Sequence, residues 1–225
     1  LEKAGIVAPS PRTKFHKGQI YDPANQENHQ FTTDEYHRIT ELGILPPDVR
    51  TELLDGRIYE MSPIGKRHGA CVDRLTDLFK SLYSKDKVGV RCQNPIVKPN
   101  NSEPVPDISL VKAREDYYRE SLPTPRDVFL LVEVSDSTID DDNEEKAKLY
   151  AKAGITELWI IDLGGDRLLV KRDPTSSGYA DEKEYTSGRI AAVGLPGVDI
   201  NIDDLLIDCV KRSIRRSDPK GSRKR

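Results

Sequence analysis

One stretch limits the possible architectures more than any other. Residues 128–134 read Val-Phe-Leu-Leu-Val-Glu-Val, with Phe129, Leu130, Leu131 and Val132 apolar in succession. Neighbouring strand side chains point to opposite faces, so a strand of this kind must be covered on both. It belongs in the middle of a sheet. A second buried run, Leu158-Trp159-Ile160-Ile161, follows a helical stretch over about residues 143–153 that ends at Gly154. Strand, helix and strand in that order predict an α/β sandwich, a mixed sheet with helices packed on its faces.

The other elements fit around that centre. Thr32 followed by Glu35 is a capping-box pattern and Gly43 a natural stop, which predicts a helix over residues 33–42. Asp55-Gly56 between two short apolar runs predicts a hairpin, because both turn positions favour positive φ. Cys71, Leu75, Leu78, Phe79 and Leu82 recur at helical spacing and predict a helix from about Lys66 to Tyr83. Further strands are expected over residues 88–92, 105–111 and 167–172, with weaker edge structure as far as Leu206. Residues 1–30 lack periodicity and read as an extended arm. The domain itself is expected over residues 31–208, with a basic tail over 209–225.

Several function classes lose support at once. No apolar stretch approaches the roughly 20 residues that cross a bilayer, and the start shows no signal-peptide pattern. Cys71, Cys92 and Cys209 form no CxxC pair, and His16, His29, His37 and His68 form no HxH or HExxH pair. A zinc site or a disulfide framework therefore has little support, and a reducing cytoplasm fits. The net charge of −3 conceals an asymmetry. Residues 211–225 carry eight Lys/Arg against one Asp, a charge of +7, which leaves −10 on the rest. A basic tail on an acidic body can grip a phosphate backbone. A solvated terminal charge run is the plainer reading.

The informative residues are acids where a core disfavours them. Asp107 precedes the apolar run Ile108–Val111, and Glu133 interrupts Leu130–Val134. A buried carboxylate costs roughly several kcal/mol unless it is paired or bound to a cation. Two carboxylates on neighbouring strands repel, and a divalent ion between them removes that penalty. Hard oxygen ligands select Mg²⁺ or Mn²⁺ over zinc. For either acid alone the plainer reading is favoured: Glu133 pairs with an Arg or Lys, and Asp107 caps a turn. Asp142, Lys146 and Tyr150 then fall at i, i+4 and i+8, on one helical stripe that starts soon after Glu133. On spacing alone this is also an ordinary surface ion pair.

Taken in order, these pieces form a pattern. They are Glu52-Leu53-Leu54-Asp55-Gly56 with Met61-Ser62-Pro63, His68 opening a helix, and Val105-Pro106-Asp107-Ile108-Ser109. Val132 through Thr138 follows, then Asp142 through Lys146 to Tyr150, and Ala153 through Asp162. Over about residues 31–206 the chain resembles the Uma2-like family of restriction endonucleases, which is similar to the PD-(D/E)xK nuclease superfamily. The resemblance implies a restriction-endonuclease-like mixed central sheet flanked by helices, with Asp107 and Glu133 as metal ligands. It implies Glu52 as an extra acid near the metal. The superfamily lysine usually stands two residues after the acid, where this chain has Ser135; in the Uma2-like pattern it sits on the following helix, where Lys146 matches it.

The expectation is a Mg²⁺- or Mn²⁺-dependent DNA endonuclease. Asp107 and Glu133 would hold the metal, with Val134 as a further ligand through its carbonyl. Lys146 would orient the attacking water, and Glu52 would bind the metal or its water. Tyr150 would pack or support Asp142 or Lys146, and His68 would be a cap or structural partner. Cutting two strands suggests a homodimer. The alternative is a catalytically inactive module that keeps the nuclease fold and binds nucleic acid or protein. A third reading is a metal-dependent hydrolase of small phosphate esters.

Overall fold

The computed structural model describes residues 14–16, 19–22, 27–45, 47–96, 101–136 and 141–206 of the protein. In chain order the strands and helices are β1 (Lys14–His16), β2 (Gln19–Asp22), β3 (Glu27–Asn28), α1 (Thr33–Glu41), β4 (Thr51–Leu54), β5 (Arg57–Glu60), α2 (Lys66–Leu82), β6 (Val88–Cys92), β7 (Ile108–Lys112), β8 (Val128–Ser135), α3 (Asp141–Ala153), β9 (Glu157–Asp162), β10 (Arg167–Thr175), β11 (Gly178–Tyr185), β12 (Arg189–Ile190), β13 (Ile200–Asn201) and α4 (Ile202–Leu206).

The centre is a six-stranded mixed sheet in the order β11-β10-β9-β8-β7-β6. All its neighbours are antiparallel except β8 and β9, which run parallel because α3 carries the chain back between them. β8 is central, as its apolar run requires. Its even residues, Leu130, Val132 and Val134, pack with Cys71, Val72, Leu75 and Phe79 of α2. Leu131 packs on the opposite face with Ala147, Tyr150 and Ala151 of α3. The two-residue period therefore sends Glu133 to the α3 face.

A smaller core lies beside the sheet. Phe31, Tyr36 and Ile39 pack on Leu53 and Ile58 of the β4–β5 hairpin. The capping box at α1 is complete: Thr32 Oγ1 accepts from the Glu35 amide, and Glu35 returns a carboxylate oxygen to the Thr32 N–H. The hairpin turns through Asp55 and Gly56, both at positive φ (42° and 75°). Its Leu53 bridges Glu103, which ties the hairpin to the segment leading into β7.

Three elements differ from the sequence reading. β7 begins at Ile108 rather than Val105, since Pro104 and Pro106 have no N–H to give a ladder. Residues expected as an extended arm contain the three short antiparallel strands β1–β3. The far sheet edge is an eight-residue strand, β11, that pairs along its length with β10. Cys209 and the basic tail lie outside the described residues. Among those residues, no helix is long and apolar enough to cross a membrane.

Candidate active site

The candidate site forms where β7 starts and β8 ends. Ile108 pairs with Val132, so Asp107 comes to lie beside Glu133 on the same sheet face. The Asp107 N–H donates to Glu133 Oε2 at 3.1 Å. The Val134 N–H donates to Asp107 Oδ2 at 2.9 Å. Each carboxylate is thus fixed by the backbone of the neighbouring strand, which holds the two acids together despite their charge.

Helix α3 supplies the next two groups from successive turns. Tyr150 is fully buried, and its hydroxyl donates to Glu133 Oε1 at 2.6 Å. Tyr150 therefore supports Glu133, not Lys146 as expected from the shared stripe; the Asp142 side chain lies outside the described residues. Lys146, one turn earlier, places its Nζ 3.0 Å from Glu52 Oε1. Among the described residues its ion-pair partner is Glu52 rather than Glu133. Glu52 is itself buried on β4, and its Oε2 accepts from the Val105 N–H at 3.1 Å. The hairpin thus delivers an acid to the lysine, and Glu52 faces Lys146 more directly than it faces the Asp107–Glu133 pair.

Two further residues hold Asp107. His68 Nε2, from the first turn of α2, is 3.0 Å from Asp107 Oδ2. The Gln93 amide donates to Asp107 Oδ1 at 3.1 Å. Gln93 sits just past β6 with φ of 48°, opposite Asp107, to whose carbonyl its own N–H is bonded. His68 was expected as a cap or structural partner and is the partner of Asp107, whereas Gln93 carries no sequence signal, because a polar residue after a strand has no period to mark it. Ser135, at the usual lysine position of the superfamily, is a buried residue at the end of β8.

The electrostatics follow from burial. Burial pushes the Glu133 carboxyl up to about 7, and Asp107 and Glu52 add to the rise while Lys146 and Tyr150 oppose it. Burial alone would lower the Lys146 ammonium, but Glu133, Glu52 and Asp107 outweigh it and hold the pKa above the usual lysine range. Burial would raise Asp107, yet the His68 contact and the Val134 and Gln93 hydrogen bonds bring it below the usual value. His68 is raised, chiefly by its hydrogen bond to Asp107. The Tyr150 hydroxyl is pushed well up by burial and by Glu133, so it donates as a neutral phenol.

Apart from the fully buried Tyr150, these groups line one open cleft of about 520 Å³. Its walls carry Glu52, Glu60, Asp107, Glu133, Asp136 and Glu145 against Arg50 and Lys146, so it is acidic with His68 neutral. Among the described residues no three His, Cys, Asp or Glu side chains converge as a metal cage. The donor set still suits one hard divalent ion. Mg²⁺ is commonly held by one or two carboxylates, with water and substrate phosphate filling the remaining positions. Glu133, buried and under-compensated, is the group whose charge a cation would stabilise most.

The model of the Uma2 family, described as "Putative restriction endonuclease", matches residues 33–203. A solved structure titled a "putative nuclease belonging to DUF820 from Anabaena variabilis ATCC 29413" superposes with a TM-score of 0.61 at 15% identity, covering 80% of this chain and 99% of that one. At that identity the likeness shows a shared fold. No curated protein matches the chain. The family match spans every residue of the Asp107–Glu133–Lys146 cluster together with α1 to β13, and the chain belongs to the Uma2 family.

Proposed function

We propose that the protein is a Mg²⁺- or Mn²⁺-dependent DNA endonuclease that hydrolyses phosphodiester bonds in the acidic cleft. The observation that carries this reading is a lysine ammonium from α3 set among three carboxylates, Glu52, Glu133 and Asp107, at one end of the sheet. In this reading Asp107 and Glu133 hold the ion, with the Val134 carbonyl as a further donor. The chemistry supplied there by the ion is Lewis-acid activation of water and of the phosphodiester. Glu52 fixes Lys146 in place and would serve as the extra acid for the ion or its water. Lys146 orients the attacking water and offsets charge developing on the phosphate. Tyr150 and His68 hold Glu133 and Asp107 in their working positions. An acidic cleft repels a phosphate backbone, so substrate entry itself calls for a cation between the two.

Severing both strands of a duplex needs two such sites, so a homodimer belongs to this reading. So does a reducing, cytoplasmic setting, which fits three widely spaced cysteines without a CxxC pair.

The test is plasmid cleavage with Mg²⁺ or Mn²⁺ in place of chelator. Glu133→Gln should abolish it. Lys146→Ala should remove most of it, whereas Lys148→Ala, exposed and two positions on, should leave it near wild type. Equal behaviour of the two lysine variants would reject the role given to Lys146. Absence of cleavage in the wild type would favour the binding module.

A further inference from the structure

A second cleft, of about 390 Å³, wraps the sheet edge at the other end of β6 and β7. Its charge is the reverse of the first. Lys80, Lys85, Arg91, Lys112 and Arg114 line it, and no carboxylate does. Arg114 is held by Asp116 at 2.6 Å. Lys80, Lys85 and Lys112 are exposed and, among the described residues, make no ion pair.

The aromatic groups are arranged around these cations. The Arg91 and Arg114 guanidinium carbons lie 5.4 Å and 4.7 Å from the centre of the Tyr118 ring. Arg114 is fully engaged, with Nε and Nη2 on Asp116 and Nη1 on Ser121 Oγ, while Arg91 gives Nη1 to the Tyr117 carbonyl at 3.3 Å and is held flat on the ring. Arg91 Nε and the Tyr83 hydroxyl are buried without a hydrogen-bond partner among the described residues. Tyr117, at the rim, is 84% exposed, the most exposed of the large hydrophobic residues.

The cleft lies at the opposite end of β6 and β7 from the candidate active site. Lys112 is five residues along the chain from Asp107, about 17 Å at strand rise. Arg91 stands two residues before Gln93, which bonds Asp107.

We propose that this basic cleft holds the phosphate backbone of the nucleic-acid substrate away from the scissile position, with Tyr117 as a stacking surface for a base. The proposal rests on the nuclease reading and deepens it by assigning where the substrate is gripped. The exposed ammonium groups of Lys80, Lys85 and Lys112 suit phosphate oxygens. The lysines supply charge that the acidic cleft lacks.

The experiment is DNA binding by the full chain, followed by fluorescence anisotropy in chelator across a salt series. Lys85→Ala/Lys112→Ala should weaken binding roughly 60-fold near 100 mM salt and lower the salt slope by about 2, one unit per lost phosphate contact. Tyr117→Ala should weaken binding to single strands with no change in slope. Lys183→Ala, on the opposite sheet edge β11, should change neither. Melting temperatures of all variants should match the wild type, since the substituted side chains are exposed.

An unchanged slope in the double variant overturns the proposal, as does a wild type that does not bind DNA. Displacement of DNA by polyglutamate as efficiently as by unlabelled DNA overturns it too, and assigns the cleft to an acidic peptide. The two readings fail separately. Cleavage by a wild type whose slope ignores Lys85 and Lys112 leaves the nuclease and removes the cleft. Slope loss without any wild-type cleavage leaves the cleft and removes the nuclease.

Discussion

Glu133 shows how a single side chain can store free energy for a ligand. It is buried at the end of a central strand, and its carboxyl is pushed up to about 7. An acid whose folded pKa exceeds its unfolded value contributes stability that is full below the unfolded pKa, here 4.5, and is lost as pH rises through the folded one. His68 has the same sign, since its folded value also lies above 6.5. Asp107 has the opposite sign, but its lowered pKa acts below 3.8. Metal-free protein should therefore lose stability from pH 5 to pH 8, by roughly 3 kcal/mol from Glu133. Thermal melts in chelator measure this. Glu133→Gln should remove most of the slope and leave the smaller part due to His68. A Glu133→Gln slope as steep as wild type would show that the carboxyl is not the group titrating.

Elements differ in how far their sequence announces them. β8 is legible because four consecutive apolar residues admit only a doubly covered strand, and the same run exposes Glu133 as an anomaly. The Asp55-Gly56 hairpin is legible from its turn chemistry alone. The contacts of Asp107 are not, because they cross from α2 and from the residue after β6. Neither His68 nor Gln93 repeats with any period, and only the ladder that pairs Cys92 with Ile108 brings Gln93 opposite Asp107. The Tyr150–Glu133 bond was hidden for a related reason: a helical stripe fixes which residues share a face, but not which strand that face meets. β11 was faint because Asp181-Glu182-Lys183-Glu184 hides a strand in charge that suits an exposed edge. The hairpin that carries Glu52 gives an element-level expectation. Gly56 has φ of 75°, and a Cβ there would lie 2.6 Å from the Gln30 side chain and 3.2 Å from its Cα. Gly154, after α3, has φ of 83° with open space around it. Both Gly→Ala changes should destabilise, by roughly 1 kcal/mol for the left-handed backbone. Gly56→Ala should cost more, because its neighbour must also move. Equal melting temperatures for the two variants would contradict that ranking.

At the scale of the whole molecule, charge is divided by task. The cleft proposed for the chemistry is acidic, the sheet edge beyond it is basic, and residues 211–225 hold +7 against −10 elsewhere. A body of −10 repels DNA at long range, so any grip must come from concentrated positive regions. The tail, outside the described residues, is one such region by sequence. Each phosphate contact it makes releases condensed counterions and adds about 0.9 to the salt slope. Deleting residues 211–225 should therefore flatten the salt dependence of DNA binding by several units and weaken binding most at low salt. The difference from full-length protein should shrink towards 1 M salt, where the Debye length falls to about 3 Å. Combining the deletion with Lys85→Ala/Lys112→Ala should add the two losses of slope, because contacts made at separate places release separate counterions. Anisotropy titrations of the four proteins across salt measure all of this. An unchanged slope after deletion would identify the tail as a solvated end. Losses that fail to add would mean that tail and cleft compete for the same phosphates.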